Sequence, residues 1–256
     1  MGEFIQCLKG EVLKSRNSFA VGLSLVGTVA NVLLFFSLEL FRGPRVLTTD
    51  NPWNGYVQNH YAGIALMMLP LYVIILTSLV AFMEHRRQTW GQLLLLPVSR
   101  WNLYASKLAF TLGLFVVAHL LFIVGMLLSG GILGLVRPDS RLLTIGPDWS
   151  MIGQLARQTV VSILGLMALH YWLSLRFRHF IIPLTIGILG FVAVSLLGPD
   201  WTYLWLVPYG PPTQFMPALE GRVGAEAVWL SQWTSALYFV LFTAIGFWDW
   251  KRMRQV

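Results

Sequence analysis

Six long apolar runs, at 19–38, 62–83, 108–129, 159–175, 180–198 and 227–248, constrain this chain more than any other feature. About 20 apolar residues in a helix cross about 30 Å of hydrocarbon. A helix also satisfies its own backbone hydrogen bonds in lipid, where no water can do so. The runs therefore predict an all-α, polytopic membrane protein with six transmembrane helices in a single transmembrane domain. The fourth run is short and can begin earlier, near Gln154, while Ser231 and Gln232 interrupt the outer end of the last. A membrane barrel would instead need segments of about ten residues with alternating polarity. Composition agrees: 56% of residues are hydrophobic and 11% charged, against about 25% charged in a typical soluble domain. One soluble core cannot hide that much apolar surface.

Lysine and arginine orient the helices. With the N-terminus inside, the inner segments carry Lys9, Lys14, Arg16, Arg86, Arg87, Arg100, Lys107, Arg176, Arg178, Lys251, Arg252 and Arg254. The outer segments carry Arg42, Arg45, Arg137, Arg141, Arg157 and Arg222. The positive-inside rule then places both termini in the cytoplasm, and it accounts for the net charge of +7 without a nucleic-acid partner. The charged stretch before residue 19, with no small-x-small site soon after the first run, argues against a cleaved signal peptide. Within it, Phe4, Ile5, Leu8, Val12 and Leu13 fall at helical spacing, which predicts an amphipathic interfacial helix over residues 1–18. Trp53, Tyr56, Tyr61, Trp101, Tyr104, Tyr171, Trp172, Trp248 and Trp250 flank the runs and are expected at the headgroup level. The single cysteine, Cys7, excludes an intrachain disulfide and is expected to be inert.

The motifs of ATP binding and of common hydrolases are missing. There is no phosphate loop of the form G-x-x-x-x-G-K-[ST], no H-E-x-x-H and no G-x-S-x-G, and the five histidines are scattered. Ionisable and amide groups at membrane depth are functional candidates by default. Asn31, His119 and His170 are the ones this sequence offers as pathway-lining residues, with helix–helix hydrogen bonding as their ordinary role. No aspartate or glutamate falls in the middle of any run, so a proton relay of buried acids is not expected. The energy source should then lie outside the chain, and the cargo should be apolar or amphipathic. Gly130 and Gly134 form a G-x-x-x-G pattern that suggests close helix packing.

The segment from Glu84 to Lys107 begins with charge (Glu84, Arg86, Arg87), continues through Trp90 and Leu93–Leu96, and stops at Pro97-Val98-Ser99-Arg100. Its apolar part is too short to cross a membrane and suits a helix at the membrane surface or against a partner protein. This run resembles the coupling-helix region of type-2 ABC exporter permeases. His170 to Phe180 resembles the subgroup that protects cells against lantibiotics and bacitracin-like peptides, and Pro208-Tyr209-Gly210-Pro211-Pro212 is similar to a proline-aromatic turn outside the fifth helix. The resemblance implies a permease without its own ATPase in the bacterial cytoplasmic membrane, paired with a second permease chain, identical or paralogous. It also implies two separate ABC ATPase subunits that carry ATP and magnesium; no cofactor is expected in this chain. The coupling loop, residues 84–107, would meet the ATPase through Glu84, Thr89, Trp90, Leu93, Leu96, Pro97 and Arg100. Residues 1–18 would form an elbow helix, and residues 199–226 an external re-entrant segment. Glu84 and Arg100 have complementary charge and would bracket the coupling helix as an exposed pair, worth about 0–1 kcal/mol. The implied function is ATP-driven export of an amphipathic antimicrobial peptide. Alternatives are a lipid, polysaccharide or drug as cargo, or a membrane assembly or signalling role without transport.

Overall fold

The computed structural model describes residues 2–42, 51–64, 68–87, 97–198, 201–214 and 224–252. Every regular element among them is helical. In chain order these are α1 (Gly2–Ser15), α2 (Phe19–Arg42), α3 (Pro52–Gly63), α4 (Leu69–Arg87), α5 (Arg100–Val136), α6 (Trp149–Arg176), α7 (Ile181–Leu197), α8 (Gly210–Thr213) and α9 (Ala225–Arg252). Single-turn 3₁₀ segments lie at Pro138–Ser140 and Leu204–Leu206.

Five of these helices, α2, α4, α5, α6 and α9, are long and apolar enough to cross a membrane. The sixth expected span, 180–198, is the 17-residue α7, which at 1.5 Å per residue reaches only about 26 Å. The run expected to span 62–83 takes in parts of two described helices, with residues 65–67 outside the described residues. Ala62 and Gly63 end α3, and the apolar helix begins at Leu69. The helix expected over 108–129 is much longer, with 37 residues that span about 55 Å.

Local chemistry fixes where several helices start. Asn51 accepts from Trp53 N at 3.0 Å ahead of Pro52, Ser99 Oγ accepts from Asn102 N at 3.1 Å, and Asp148 Oδ1 accepts from Met151 N at 3.1 Å. These contacts satisfy N–H groups that a helix start would otherwise leave open. The long helices alternate in direction, so segments distant in sequence meet at the same end. At one end, here the base, Asn102 donates to Glu3 at 2.9 Å, Arg100 donates to the Lys251 carbonyl at 3.0 Å, and Arg176 pairs with Asp249 at 2.9 Å. At the opposite end Arg137 donates to the Leu40 carbonyl, and Arg157 donates to Gln232 at 3.2 Å. Glu3, Arg100, Arg176, Asp249 and Lys251, all expected on one side, thus gather at the base.

The aromatic residues divide into two groups. Trp101, Trp229, Trp233 and Trp248 are exposed, as rings at a headgroup level would be. Trp53, Tyr56, Tyr61, Tyr104, Tyr171 and Trp250 are buried instead and form core. Trp53 Nε1 donates to the Leu142 and Ile145 carbonyls at 2.9 and 2.8 Å, and the Tyr56 hydroxyl meets Ser129 Oγ at 2.7 Å. These bonds satisfy the polar tips that make interior tyrosine and tryptophan costly. Gly130 and Gly134 do mark close approaches, but to Trp53 and Tyr56 of α3 and to the Leu142–Leu143 turn rather than to a second long helix.

Candidate functional site

The base of the bundle holds four charges in one cluster. Glu84 lies near the end of α4, Lys107 two turns into α5, and Glu11 and Lys14 on α1. Lys107 Nζ donates to Glu11 Oε2 at 2.6 Å and to Glu84 Oε1 at 3.1 Å, and Lys14 Nζ donates to Glu11 Oε1 at 2.8 Å and also to Glu84. The Glu84 and Lys107 side chains are 1% and 3% exposed. Two lysines and two glutamates cancel, and that balance lets charges sit where water is excluded.

Sequence spacing explains how the cluster forms. On α1, Glu11 and Lys14 stand three residues apart and share a face. That face also carries Ser15 and turns toward the start of α5, while Ile5, Val12 and Leu13 are exposed. The protein-facing side of α1 therefore carries Glu11, Lys14 and Ser15 together with Leu8, while Ile5, Val12 and Leu13 point outward. The length of α5 matters too. Its first two turns, ahead of the apolar run, place Lys107 opposite Glu84.

The cluster ties together both ends of the segment singled out by the sequence. Glu84 precedes it, and Lys107 follows it. Thr89, Trp90, Leu93 and Leu96 lie outside the described residues. Pro97 and Arg100 are exposed next to the Ser99 cap of α5. Arg100 does not bracket the loop with Glu84; its guanidinium reaches Lys251. The expectation of an exposed Glu84–Arg100 pair is thus corrected. Glu84 is buried because Lys14 and Lys107 supply nearer counter-charges on helices that pack against α4. His85 adds a further tie, with its ring nitrogen 3.2 Å from the Ser174 carbonyl of α6.

Burial pulls the Lys14 ammonium toward the neutral form, but Glu11 and Glu84 outweigh that and raise its pKa above 10.5. The stabilisation from this raised value is complete below 10.5 and is lost as pH rises through the folded-state value. The stability advantage of the native chain over Lys14→Gln should therefore hold at neutral pH and shrink above 10.5. Thermal unfolding in detergent across that range checks it; a pH-independent difference would remove Lys14 from the charged network. Cys7, on the same helix, has its thiol pKa raised from 9.0 by burial and then by Glu11 and Glu3, which suits an unreactive side chain.

The three polar residues within the runs lie in two places. Asn31 of α2 and His119 of α5 both face a cavity between α2, α4 and α5. His170 of α6 lies apart from it. Its Nε2 and the Tyr209 hydroxyl are 2.8 Å apart, and its ring packs beside Gly187 of α7. Tyr209 belongs to the proline-aromatic segment, which folds back into the bundle with Leu204, Pro211 and Pro212 buried. Nearer the helix ends, Glu39 accepts from Asn59 at 3.1 Å and Asp249 accepts from Trp172 at 3.0 Å, so local pairing suffices there. Among the described residues no group of three histidine, cysteine or acidic side chains is placed to hold a metal ion.

Sequence reasoning picked out Glu84 but missed Glu11, Lys14 and Lys107 as its partners. The signal was present: two acids and two bases, each at the margin of an apolar run, with equal opposite charge. Residues 7–194 match the family model described as ABC-2 family transporter protein, a stretch that includes all four cluster residues together with Asn31, His119 and His170. No curated protein matches the chain.

Proposed function

The chain belongs to the ABC-2 transporter family, and from that premise we propose that it is the permease subunit of an ATP-driven exporter. ABC-2 membrane proteins are transporter permeases that work with an ABC ATPase. The observation that carries the coupling role is the buried four-charge cluster. It joins α1, the end of α4 and the start of α5 at the two roots of the loop, so a force on the loop is delivered to three helices at once. Coupling of this kind requires two arrangements of differing contact energy, biased by the partner.

In this reading two ATPase subunits bind at the base, the loop enters a cleft in one of them, and a second permease chain completes the pathway. Trp90, Leu93 and Leu96 supply apolar anchors, since such side chains dominate protein interfaces. Glu84 holds the loop root to the helices, and Pro97 and Arg100 close it. In this reading the base faces the cytoplasm, as the positive-inside rule favours for an end rich in lysine and arginine, and the membrane is the bacterial cytoplasmic membrane. The exposed apolar face of α1 then rests on the inner leaflet as an elbow, α7 crosses as the shortest span, and the segment around Tyr209 enters from outside. The cargo is a membrane-seated amphipathic molecule such as an antimicrobial peptide.

Expression with its ATPase subunit supplies the test. A stable complex is expected on copurification, and deletion of residues 88–97 should abolish it while leaving membrane insertion intact. If the deletion variant still binds and stimulates the ATPase, the loop is not the coupling element.

A further inference from the structure

Helix α1 has two sides of different chemistry. Ile5, Val12 and Leu13 are exposed, and Lys9 is exposed with them. Ile5 stands four residues before Lys9, Val12 three after it and Leu13 four after it, so these side chains share one side of the helix. Arg16, in the turn that follows α1, is exposed too. Among the described residues neither Lys9 nor Arg16 joins an ion pair. The two acids of α1 are placed elsewhere. Glu11 is buried against Lys14 and Lys107 at 2.8 and 2.6 Å, and Glu3 accepts from Asn102 of α5 at 2.9 Å. The outward side therefore combines apolar side chains with positive charge and has no acid among them.

Two contacts set the depth of this side. Glu3 meets Asn102 and Glu11 meets Lys107, so α1 runs along the first two turns of α5. Those turns precede the apolar run that begins at Leu108. They also carry Trp101, an exposed ring of the kind that settles at headgroup level. Leu13 and Phe19, on either side of the turn into α2, are 74% and 73% exposed, so the apolar surface continues onto a membrane-crossing helix. Apolar side chains at the edge of the hydrocarbon, beside cations at phosphate level, suit an anionic bilayer surface. A protein partner suits this side less, because lysine is depleted from protein interfaces.

Given the inner-leaflet placement of α1, on which this rests, we propose that its outward side is a docking surface for anionic phospholipid. Lys9 and Arg16 pair with headgroups that carry no compensating positive charge, and Ile5, Val12 and Leu13 enter the acyl boundary between them. Each cation favours an anionic over a zwitterionic surface by about fivefold. Glu11 and Lys14 stay with the buried cluster, so lipid attraction and internal pairing use different charges of one helix.

The full chain in nanodiscs of equal parts phosphatidylglycerol and phosphatidylcholine provides the test, with one lipid or the other carrying a diazirine near its acyl carbonyl. Mass spectrometry of proteolytic fragments reads which lipid labels residues 2–19. Phosphatidylglycerol should label this segment about fivefold or more over phosphatidylcholine. Lys9→Gln/Arg16→Gln should bring that ratio close to one, with phosphatidylcholine labelling unchanged. Its thermal unfolding should match that of the native chain, since both side chains are exposed. Equal labelling by the two lipids, or a preference undiminished in the double variant, would overturn the proposal while leaving α1 at the membrane. Labelling by neither lipid would overturn the inner-leaflet placement and the proposal together. Labelling abolished by added ATPase subunit would assign the surface to a protein partner and overturn it as well.

Discussion

Replacing Lys107 by methionine should destabilise the folded chain by about 3–5 kcal/mol, because it removes one partner of a buried ion network and leaves a carboxylate without its counter-charge. Lys107 Nζ bridges Glu11 and Glu84 and is almost fully enclosed. Without it, Lys14 is the remaining lysine of the cluster for the two carboxylates. The double variant Lys107→Met/Glu84→Gln restores neutrality, since Glu11 and Lys14 still pair at 2.8 Å, and should recover most of the loss. Thermal unfolding in detergent compares the two. A single variant as stable as the native chain, or a double variant no better than the single, would show that the cluster does not act as one electrostatic unit. In the proposed mechanism the double variant also separates folding from coupling: it should insert and bind the ATPase, yet export poorly, because the loop root is no longer tied to α1.

Gly165→Leu should be nearly as severe, for a different reason. Among the described residues the most extensive helix pair is α6 with α9, and Gly165 lies at their crossing. A Cβ there would come 2.9 Å from the Ser235 carbonyl oxygen, and backbone cannot yield as a flexible side chain can. Gly165 N also donates to Ser235 Oγ at 3.0 Å, while the single proton of that hydroxyl is shared between the Val161 and Ser162 carbonyls at 2.8 and 2.9 Å. Overpacking costs about 1–3 kcal/mol, and each interhelical hydrogen bond lost adds about 0.6 kcal/mol. The leucine variant is expected to unfold or aggregate in detergent well below the native chain, with Gly165→Ala intermediate. Native-like unfolding of Gly165→Leu would mean that α6 and α9 are not held at this distance.

Both positions show where the sequence is readable. Apolar run length predicted helices α2, α4, α5, α6 and α9, because the requirement that backbone groups be satisfied in lipid is local and strong. The run 180–198 matches α7 to within a residue at each end, and Gly198, at φ +77°, closes that helix at Leu197. The run 62–83 took in only Ala62 and Gly63 of α3, and Trp53, Tyr56 and Tyr61 were expected at an interface because such rings look alike in sequence whether they sit there or inside a protein. Only the carbonyls of Leu142 and Ile145, some ninety residues away, show that Trp53 is interior. The base cluster was hidden for the same reason. Charges at the margins of apolar runs read singly as solvated, and Glu11 and Lys107 are 96 residues apart. Arg100 and Glu84 looked like partners because they are close in sequence, and helix packing paired each with something else. Ser235, which the sequence did not single out, proves to be a contact between α9 and α6.

The central claim is that the loop between Glu84 and Lys107 transmits work from a separate ATPase. Leu93→Cys in a Cys7→Ser background places a lone thiol in that loop, and cross-linking of the reconstituted complex reads what it touches. The account predicts a cross-link to the ATPase subunit whose yield changes between the ATP-bound and ADP-bound states, together with loss of ATPase stimulation once the link forms. A thiol that reacts only with membrane-soluble reagents, and never with the ATPase in either state, would contradict it.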